Sequence, residues 1–309
     1  MAKVFIDGSA GTTGLRIYDR LQARGDIELL ILPEEKRKDP TARKEMLNMA
    51  DIAFLCLPDA AAMEAVSMVE NENTVIIDTS TAHRTAENWV YGMPELVGKD
   101  AVKKAKRIAN PGCHASGFVA LVAPLVKNGL IKADAKLSCV SLTGYSGGGK
   151  QMIAQYEADD RDPLLSAPRM YGLTQQHKHL KEMTKLCGLE NAPVFCPIVG
   201  DFYSGMEVTV TLQREDVQGT MDDIKAIYQK NYQNGLIYFA EKADESGFMS
   251  AGALSGRDDM EITVHGHEDR MLLTARFDNL GKGASGAAVQ NMNIVLGVDE
   301  NTGLKTGGN

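Results

Sequence analysis

The 309-residue chain carries 33 Lys and Arg against 41 Asp and Glu, a net charge of −8, so it lacks the basic field that a general nucleic-acid surface needs. Its length exceeds the roughly 100–200 residues of one domain, its 44% hydrophobic and 24% charged residues are ordinary for a soluble globular protein, and no apolar run approaches the roughly 18 residues that span a bilayer. Five cysteines (Cys56, Cys113, Cys139, Cys187 and Cys196) form no CxxC pair, which fits a reducing, cytoplasmic setting without structural disulfides or zinc.

In chain order, Val4 to Ile6 reads as a first strand and Thr12 to Arg24 as a helix, with Leu15, Tyr18 and Leu21 at helical spacing before Gly25 stops it. Ile27 to Leu32 is a second strand, Ala42 to Ala50 a helix, Ile52 to Leu57 a third strand ended by Pro58, Ala60 to Val69 a helix and Val75 to Ile77 a fourth strand. Unbroken Val/Ile/Leu runs alternating with helices predict a doubly wound parallel α/β sheet covered on both faces.

Between the first strand and helix lies Gly8-Ser9-Ala10-Gly11-Thr12-Thr13-Gly14. Glycines there let the backbone approach a pyrophosphate, whose charge sits against the N–H groups of the helix start. The spacing is GxxGxxG, with Ser9 where GxGxxG would have glycine, so the turn's position at the first strand–helix junction carries the reading more than the pattern does. After the second strand, Pro33-Glu34-Glu35-Lys36-Arg37-Lys38 puts acids first and then three bases. Lys36 and Arg37 favour the 2′-phosphate of NADP over NAD, the alternative being a solvated loop.

Cys113 follows Asn110-Pro111-Gly112 and directly precedes an apolar helix beginning near Ala115, of which Phe118 to Val126 is the clearest part. A helix start stabilises a thiolate and arms it as a nucleophile, whereas Cys56, inside a strand, reads as a small buried hydrophobe. Leu137 to Leu142 is a strand, and Gly144 to Lys150 reads as a very flexible loop. Gln175 to Glu182 opens a helical pattern, with Glu182 five residues after His177. His177 is the candidate acid/base; His177-x-His179 alone is a weak metal pair, and none is expected. Met206 to Leu212, Glu261 to Val264 and Met271 to Phe277 alternate with period two, as in a sheet with one covered face. His265 and His267 flank a hairpin turn, Gly283 to Leu296 is the last helix, and the tail Thr302 to Asn309 is expected to fray.

The motifs GSAGTTG (8–14), DTSTAHR (78–84), YGMPEL (91–96), NPGC (110–113), GYSGGGK (144–150), HKHLKE (177–182) and NLGKGASGAAVQNMN (279–293), in that order along nearly the whole chain, resemble the N-acetyl-γ-glutamyl-phosphate reductase family of arginine biosynthesis. The modest length and PVFCPIVGDFYSG (193–205) are similar to its shorter subtype, and the layout is more distantly similar to aspartate-semialdehyde and glyceraldehyde-3-phosphate dehydrogenases. The resemblance implies a Rossmann NADP(H) domain (residues 1–114, with a C-terminal helix 281–300 packing back on it), and a catalytic and oligomerisation α+β domain (115–280).

It also implies a homodimer or homotetramer, a small acyl-phosphate substrate, a nucleophile at Cys113 that forms a thioester, a histidine base at His177 and an orienting acid at Glu182. Arg84 beside Ser80, and Lys150 after the loop holding Ser146, are candidate cations for substrate phosphate and carboxylate. Ser80, Asn110 and Ser146 are the neutral candidates, and Asn279, by analogy, would contact the nicotinamide amide. Where the longer subtype has an aromatic residue after the cysteine, this chain has His114-Ala115-Ser116, which alters the local pocket more than the nucleophile. A sibling acyl-phosphate reductase stays open, as does a non-catalytic NADP sensor on the same fold; the sensor would need the glycine turn but neither Cys113 nor His177. A thiol hydrolase leaves the glycine turn unexplained.

Overall fold

The structure is a computed structural model that describes residues 1–233 and 235–307. It divides into two compact units, one of residues 1–111 with 284–304 and one of residues 112–283 with the tail from Lys305.

The first unit runs β1 (Ala2–Asp7), α1 (Thr12–Leu21), β2 (Ile27–Leu30), α2 (Pro40–Met49), β3 (Ile52–Leu55), α3 (Asp59–Ser67), β4 (Val75–Asp78), β5 (Val90–Tyr91), α4 (Pro94–Val97), α5 (Lys99–Lys104) and β6 (Arg107–Ala109). All strand pairs are parallel, in the order β2-β1-β3-β4-β6-β5. Because strand side chains alternate between faces, Val4 and Ile6 point into one core with Ile17, Leu21 and Val102. Phe5 points into another, with Leu47, Ala62 and Ala65. This is a doubly wound, Rossmann-like sheet. Its order reverses between β1 and β3, the switch point beside which such folds bind ligands at the carboxyl ends of the strands.

The second unit runs α6 (Cys113–Lys127), β7 (Ser138–Gly144), α7 (Gly149–Glu157), β8 (Arg169–Met170), α8 (His179–Cys187), β9 (Val194–Gly200), β10 (Met206–Gln213), α9 (Met221–Asn231), β11 (Ile237–Phe239), β12 (Met260–His267) and β13 (Arg270–Phe277). Its mixed sheet has the order β11-β12-β13-β10-β7-β9-β8. Helices α6, α8 and α9 pack together, and α6 lies on β10 and β13. The approach is close: a Cβ on Gly117 would fall 2.6 Å from Val208. The hydroxyls of Tyr228 and Tyr232 donate to the α6 carbonyls of Leu121 and Ala120 at 2.6 and 2.7 Å. The last helix, α10 (Gly286–Leu296), returns to the first unit, where Ala288, Val289, Met292 and Ile294 complete the core behind β1, β3 and β4.

Three local expectations are corrected. First, α6 begins at Cys113 itself, because Gly112 takes an extended cap conformation and its carbonyl accepts from the amide of Ser116 at 2.8 Å. Second, residues 144–150 are no flexible loop. Tyr145–Gly148 form a 3₁₀ turn that leads straight into α7, with the amides of Tyr145 and Ser146 bonded to the carbonyls of Phe202 and Tyr203. A Cβ on Gly144 would lie 2.5 Å from the Tyr203 carbonyl, so this glycine marks close packing. Third, the tail is held as far as Gly307: the Lys305 and Gly307 amides donate to the carboxylates of Asp258 and Asp259 at 2.8 and 3.0 Å. Gly308 and Asn309 lie outside the described residues.

Candidate active site

In the first unit, Gly8 has φ +86, and a Cβ there would stand 2.3 Å from the Cys56 carbonyl. A Cβ on Gly14 would stand 2.4 Å from the Gly8 carbonyl, whereas Gly11 has only ordinary neighbours. Gly8 and Gly14 are therefore dictated by packing, while Gly11, the cap of α1 with no side chain bonded across it, leaves the helix start open to an anion. The cradle formed by residues 8–14 fits a dinucleotide pyrophosphate.

Behind it, buried Asp7 pairs with Arg43 at 3.0 Å, and Arg43 also reaches Glu64 at 3.3 Å. Burial lifts the Asp7 carboxyl above its usual range in spite of the guanidinium. Arg43 is thus committed within the fold, and Lys36 and Arg37 stand exposed on the 3₁₀ turn Glu34–Lys36 and just after it.

At the end of β4 the Asp78 carboxylate accepts from the Ser80 hydroxyl at 2.7 Å and bonds His83 Nδ1 at 2.6 Å. The His83 ring stacks on Trp89 at 4.1 Å. Arg84 donates to the Thr79 carbonyl at 3.0 Å. Asn110 is buried, with its amide donating to the Ala284 carbonyl at 3.0 Å.

The second unit gathers Cys113, His177 and Glu182. Cys113 is the first residue of α6, where the helix dipole favours a thiolate. The amide of Gly112, one residue before it, donates to Glu182 Oε1 at 2.7 Å. A Cβ on Gly283 would lie 3.0 Å from that of Cys113, so the glycine in the NLGKG motif keeps the cysteine's flank clear. Burial lifts the Cys56 thiol to about 12 and also raises Cys139 and Cys187.

His177 Nδ1 accepts from the amide of His179 at 3.2 Å. A neutral imidazole bonded this way keeps its proton on Nε2. The two rings lie 4.7 Å apart.

His114, singled out only as a departure from the subtype pattern, is central. Its ring lies 5.7 Å from His177, 5.6 Å from His179 and 5.3 Å from Phe195. Its Nδ1 bonds Ser141 Oγ at 2.7 Å and its Nε2 bonds Tyr171 Oη at 2.6 Å. Burial first, and then His177, pull this imidazole down to about 3. The sequence reading missed Tyr171 and Ser141: each belongs to a different strand or loop, and no local pattern ties them to residue 114.

Ser146 and Asn279 are both buried. The Asn279 amide donates to Ser146 Oγ at 3.0 Å, and its oxygen accepts from the Gly205 amide at 2.9 Å. Lys150 is exposed, near the start of α7.

Residues 3–105 match the family described as semialdehyde dehydrogenase, NAD binding domain, and residues 113–279 match semialdehyde dehydrogenase, dimerisation domain. Aspartate semialdehyde dehydrogenase from Francisella tularensis superposes with a TM-score of 0.71 at 15% identity, covering 96% of this chain and 100% of that one. Aspartate semialdehyde dehydrogenase II from Vibrio cholerae gives 0.70 at 15%, covering 96% and 98%. Those likenesses define the fold. The architecture and its cysteine-bearing second unit are those of a semialdehyde dehydrogenase.

The sequence narrows the class. N-acetyl-gamma-glutamyl-phosphate reductase of Rhizobium meliloti is 46% identical over 305 residues, 95% of this chain and 98% of that protein. N-acetyl-gamma-glutamyl-phosphate reductase 2 of Nostoc sp. is 43% identical over 318 residues, 98% and 99%. The chain belongs to the N-acetyl-gamma-glutamyl-phosphate reductase family.

Proposed function

We propose that this protein reduces N-acetyl-γ-glutamyl phosphate to N-acetyl-glutamate semialdehyde and phosphate, with NADPH, as a step of arginine biosynthesis in the cytoplasm. The observation that carries the reading is Cys113 at the first turn of α6, followed by His114 whose ring lies 5.7 Å from that of His177, in a chain 46% identical to such a reductase over 95% of its length.

In this reading the Cys113 thiolate attacks the acyl carbon, the C–S bond forms, the C–O bond to phosphate breaks and phosphate leaves. Amides at the α6 start stabilise the oxyanion. His177 manages the proton: as the imidazolium it gives a proton to the thiohemiacetal oxygen, and as the neutral imidazole it takes a proton back when the thiohemiacetal collapses to aldehyde and thiolate. The reduced dinucleotide, when bound, supplies the hydride that turns the thioester into that thiohemiacetal.

Residues Gly8 to Gly14 would hold its pyrophosphate, and Lys36 and Arg37 its 2′-phosphate, which makes NADP the preferred form. Glu182 holds the Gly112 turn that presents Cys113. Arg84 and Lys150 supply charge for the substrate phosphate and carboxylate, with Ser80, Asn110 and Ser146 as polar partners. Asn279 bonds Ser146 Oγ and the Gly205 amide, and would also contact the nicotinamide amide. The mixed sheet is the surface through which a homodimer or homotetramer forms, in keeping with the dimerisation-domain match.

The test is phosphate-dependent reduction of NADP by N-acetyl-glutamate semialdehyde, run beside aspartate semialdehyde and repeated with Cys113→Ser. Turnover of the acetylated substrate alone, abolished by the substitution while NADP still binds, is expected. Turnover of aspartate semialdehyde only would make the protein a sibling reductase, and NADP binding without turnover would make it a sensor.

A further inference from the structure

His114 follows the candidate nucleophile by one residue in the first turn of α6, yet its ring is buried and turned away from solvent. Both of its nitrogens are spoken for, Nδ1 by Ser141 of β7 and Nε2 by Tyr171, which follows β8. A neutral imidazole donates from one nitrogen and accepts at the other. Ser141, a hydroxyl, suits either role, so the chain Ser141–His114–Tyr171 has two arrangements. In one, the phenolic proton is spent on Nε2. In the other, Ser141 donates to Nδ1, Nε2–H donates to Tyr171 Oη, and the phenolic proton is left to point elsewhere. Tyr171 is partly exposed and its ring lies 6.0 Å from that of His177, so the phenol borders the site.

We propose that His114 is a positioning residue: bracketed by Ser141 and Tyr171, it donates through Nε2 to the Tyr171 oxygen and thereby aims the Tyr171 hydroxyl proton at the sulfur of Cys113. Tyr171 then adds a hydrogen-bond donor for the thiolate beside the amides of the helix start. The proposal rests on reading Cys113 as the nucleophile, and it goes beyond that reading by adding a donor that neither the glycine turn nor the His177 motif contains. Burial first, and then the neighbouring Cys113, push the Tyr171 phenol well above its ordinary range, so it keeps its proton and serves as a donor. His114 stays neutral over the working range for the reason already given. The other titratable groups facing this cluster are His177 just before α8, His179 and Glu182 on α8, and Cys113 itself.

The test is the pH dependence of Cys113 alkylation by iodoacetamide, read from the mass of the Cys113 peptide. It is run on the whole protein together with steady-state kinetics. Tyr171→Phe is expected to move the alkylation midpoint up by about one pH unit, because it removes a donor to the charged form. It should also lower kcat about tenfold or more with the KM for NADP unchanged. His114→Phe should do the same, and the double variant should be no worse than either single one, as members of one chain behave. His114→Gln retains a donor at the Nε2 position and should keep the wild-type midpoint. Should His114→Phe fail to fold, Tyr171→Phe and His114→Gln carry the test by themselves.

A midpoint unmoved by Tyr171→Phe, one lowered by it, or shifts that add in the double variant would overturn the proposal. Alkylation needs no substrate. If the wild type turned over no acyl phosphate, the functional reading would fail while the alkylation result still decided the role of His114.

Discussion

Glu182 of α8 accepts a 2.7 Å hydrogen bond from the amide of Gly112, the cap residue of the helix that Cys113 opens. A buried carboxylate near a thiolate would oppose its charge. The contact therefore serves geometry: it fixes the backbone turn that puts the sulfur at the helix start.

That geometry separates two substitutions. Glu182→Ala leaves the Gly112 amide buried without its acceptor and should destabilise by about 1.5–3 kcal/mol, the range for bonds to charged groups. It should also lower reductase turnover. Glu182→Gln retains an acceptor oxygen and should recover most of the stability. Urea midpoints and kcat for both variants check this; equal losses would mean that the charge matters more than the bond.

The glycine turn splits in the same manner. Gly8→Ala places a Cβ 2.3 Å from a backbone carbonyl at positive φ, and should cost more than the roughly 1–2 kcal/mol of the left-handed conformation alone. Gly11→Ala should fold normally, since its neighbours are at ordinary distance, but weaken NADP binding about tenfold, close to 1.4 kcal/mol. Thermal unfolding and a dinucleotide titration distinguish the two; a normally stable Gly8→Ala protein would contradict the packing argument.

In the proposed reading, cofactor choice rests on Lys36 and Arg37. Replacing both with Ala should raise the NADP KM by about one to two orders of magnitude, as loss of charge-assisted bonds to a phosphate would, and leave the NAD KM within about twofold. An equal change for both dinucleotides would show that the pair is only a solvated charge run.

Stability should depend on pH through His114. Its folded value is pulled from 6.5 to about 3. The unfolded chain therefore binds a proton that the folded one refuses between those values. The stability from this group is complete above 6.5 and is lost as pH falls toward 3. By pH 5 the loss, relative to well above pH 6.5, should be about 2 kcal/mol, from 1.36 kcal/mol per unit. Urea unfolding at several pH values should give a flatter dependence for His114→Gln than for the wild type; parallel curves would mean that His114 is protonated in the fold.

The strands of the first unit were legible because fully covered parallel strands leave continuous apolar runs, as at Ile52–Leu55 and Val75–Asp78. Gly144 to Lys150 misled because glycine has one signature for two causes, loose chain and close backbone approach, and only the Tyr203 carbonyl decides between them. The start of α6 was hidden behind Pro111-Gly112, which reads as a turn but here is the cap. Cys113 and His177 stand as candidates because each lies in a local motif. The Tyr171 and Ser141 partners of His114 were not legible: they lie 57 and 27 residues away, and their meeting depends on how β7, β8 and α6 pack.

Helix α10 lies in the core of the first unit although it is among the last elements of the chain. A growing chain displays Val4, Ile6, Phe54 and Ile77 on a sheet face that α1 and α5 cover only in part until α10 has left the ribosome. Folding from the N-terminus forward, the usual order for successive domains at about 5–20 residues per second, cannot finish here. For about 10 seconds or more at such rates the nascent chain carries that face with its cover incomplete, so premature termination before Gly286 should favour aggregation.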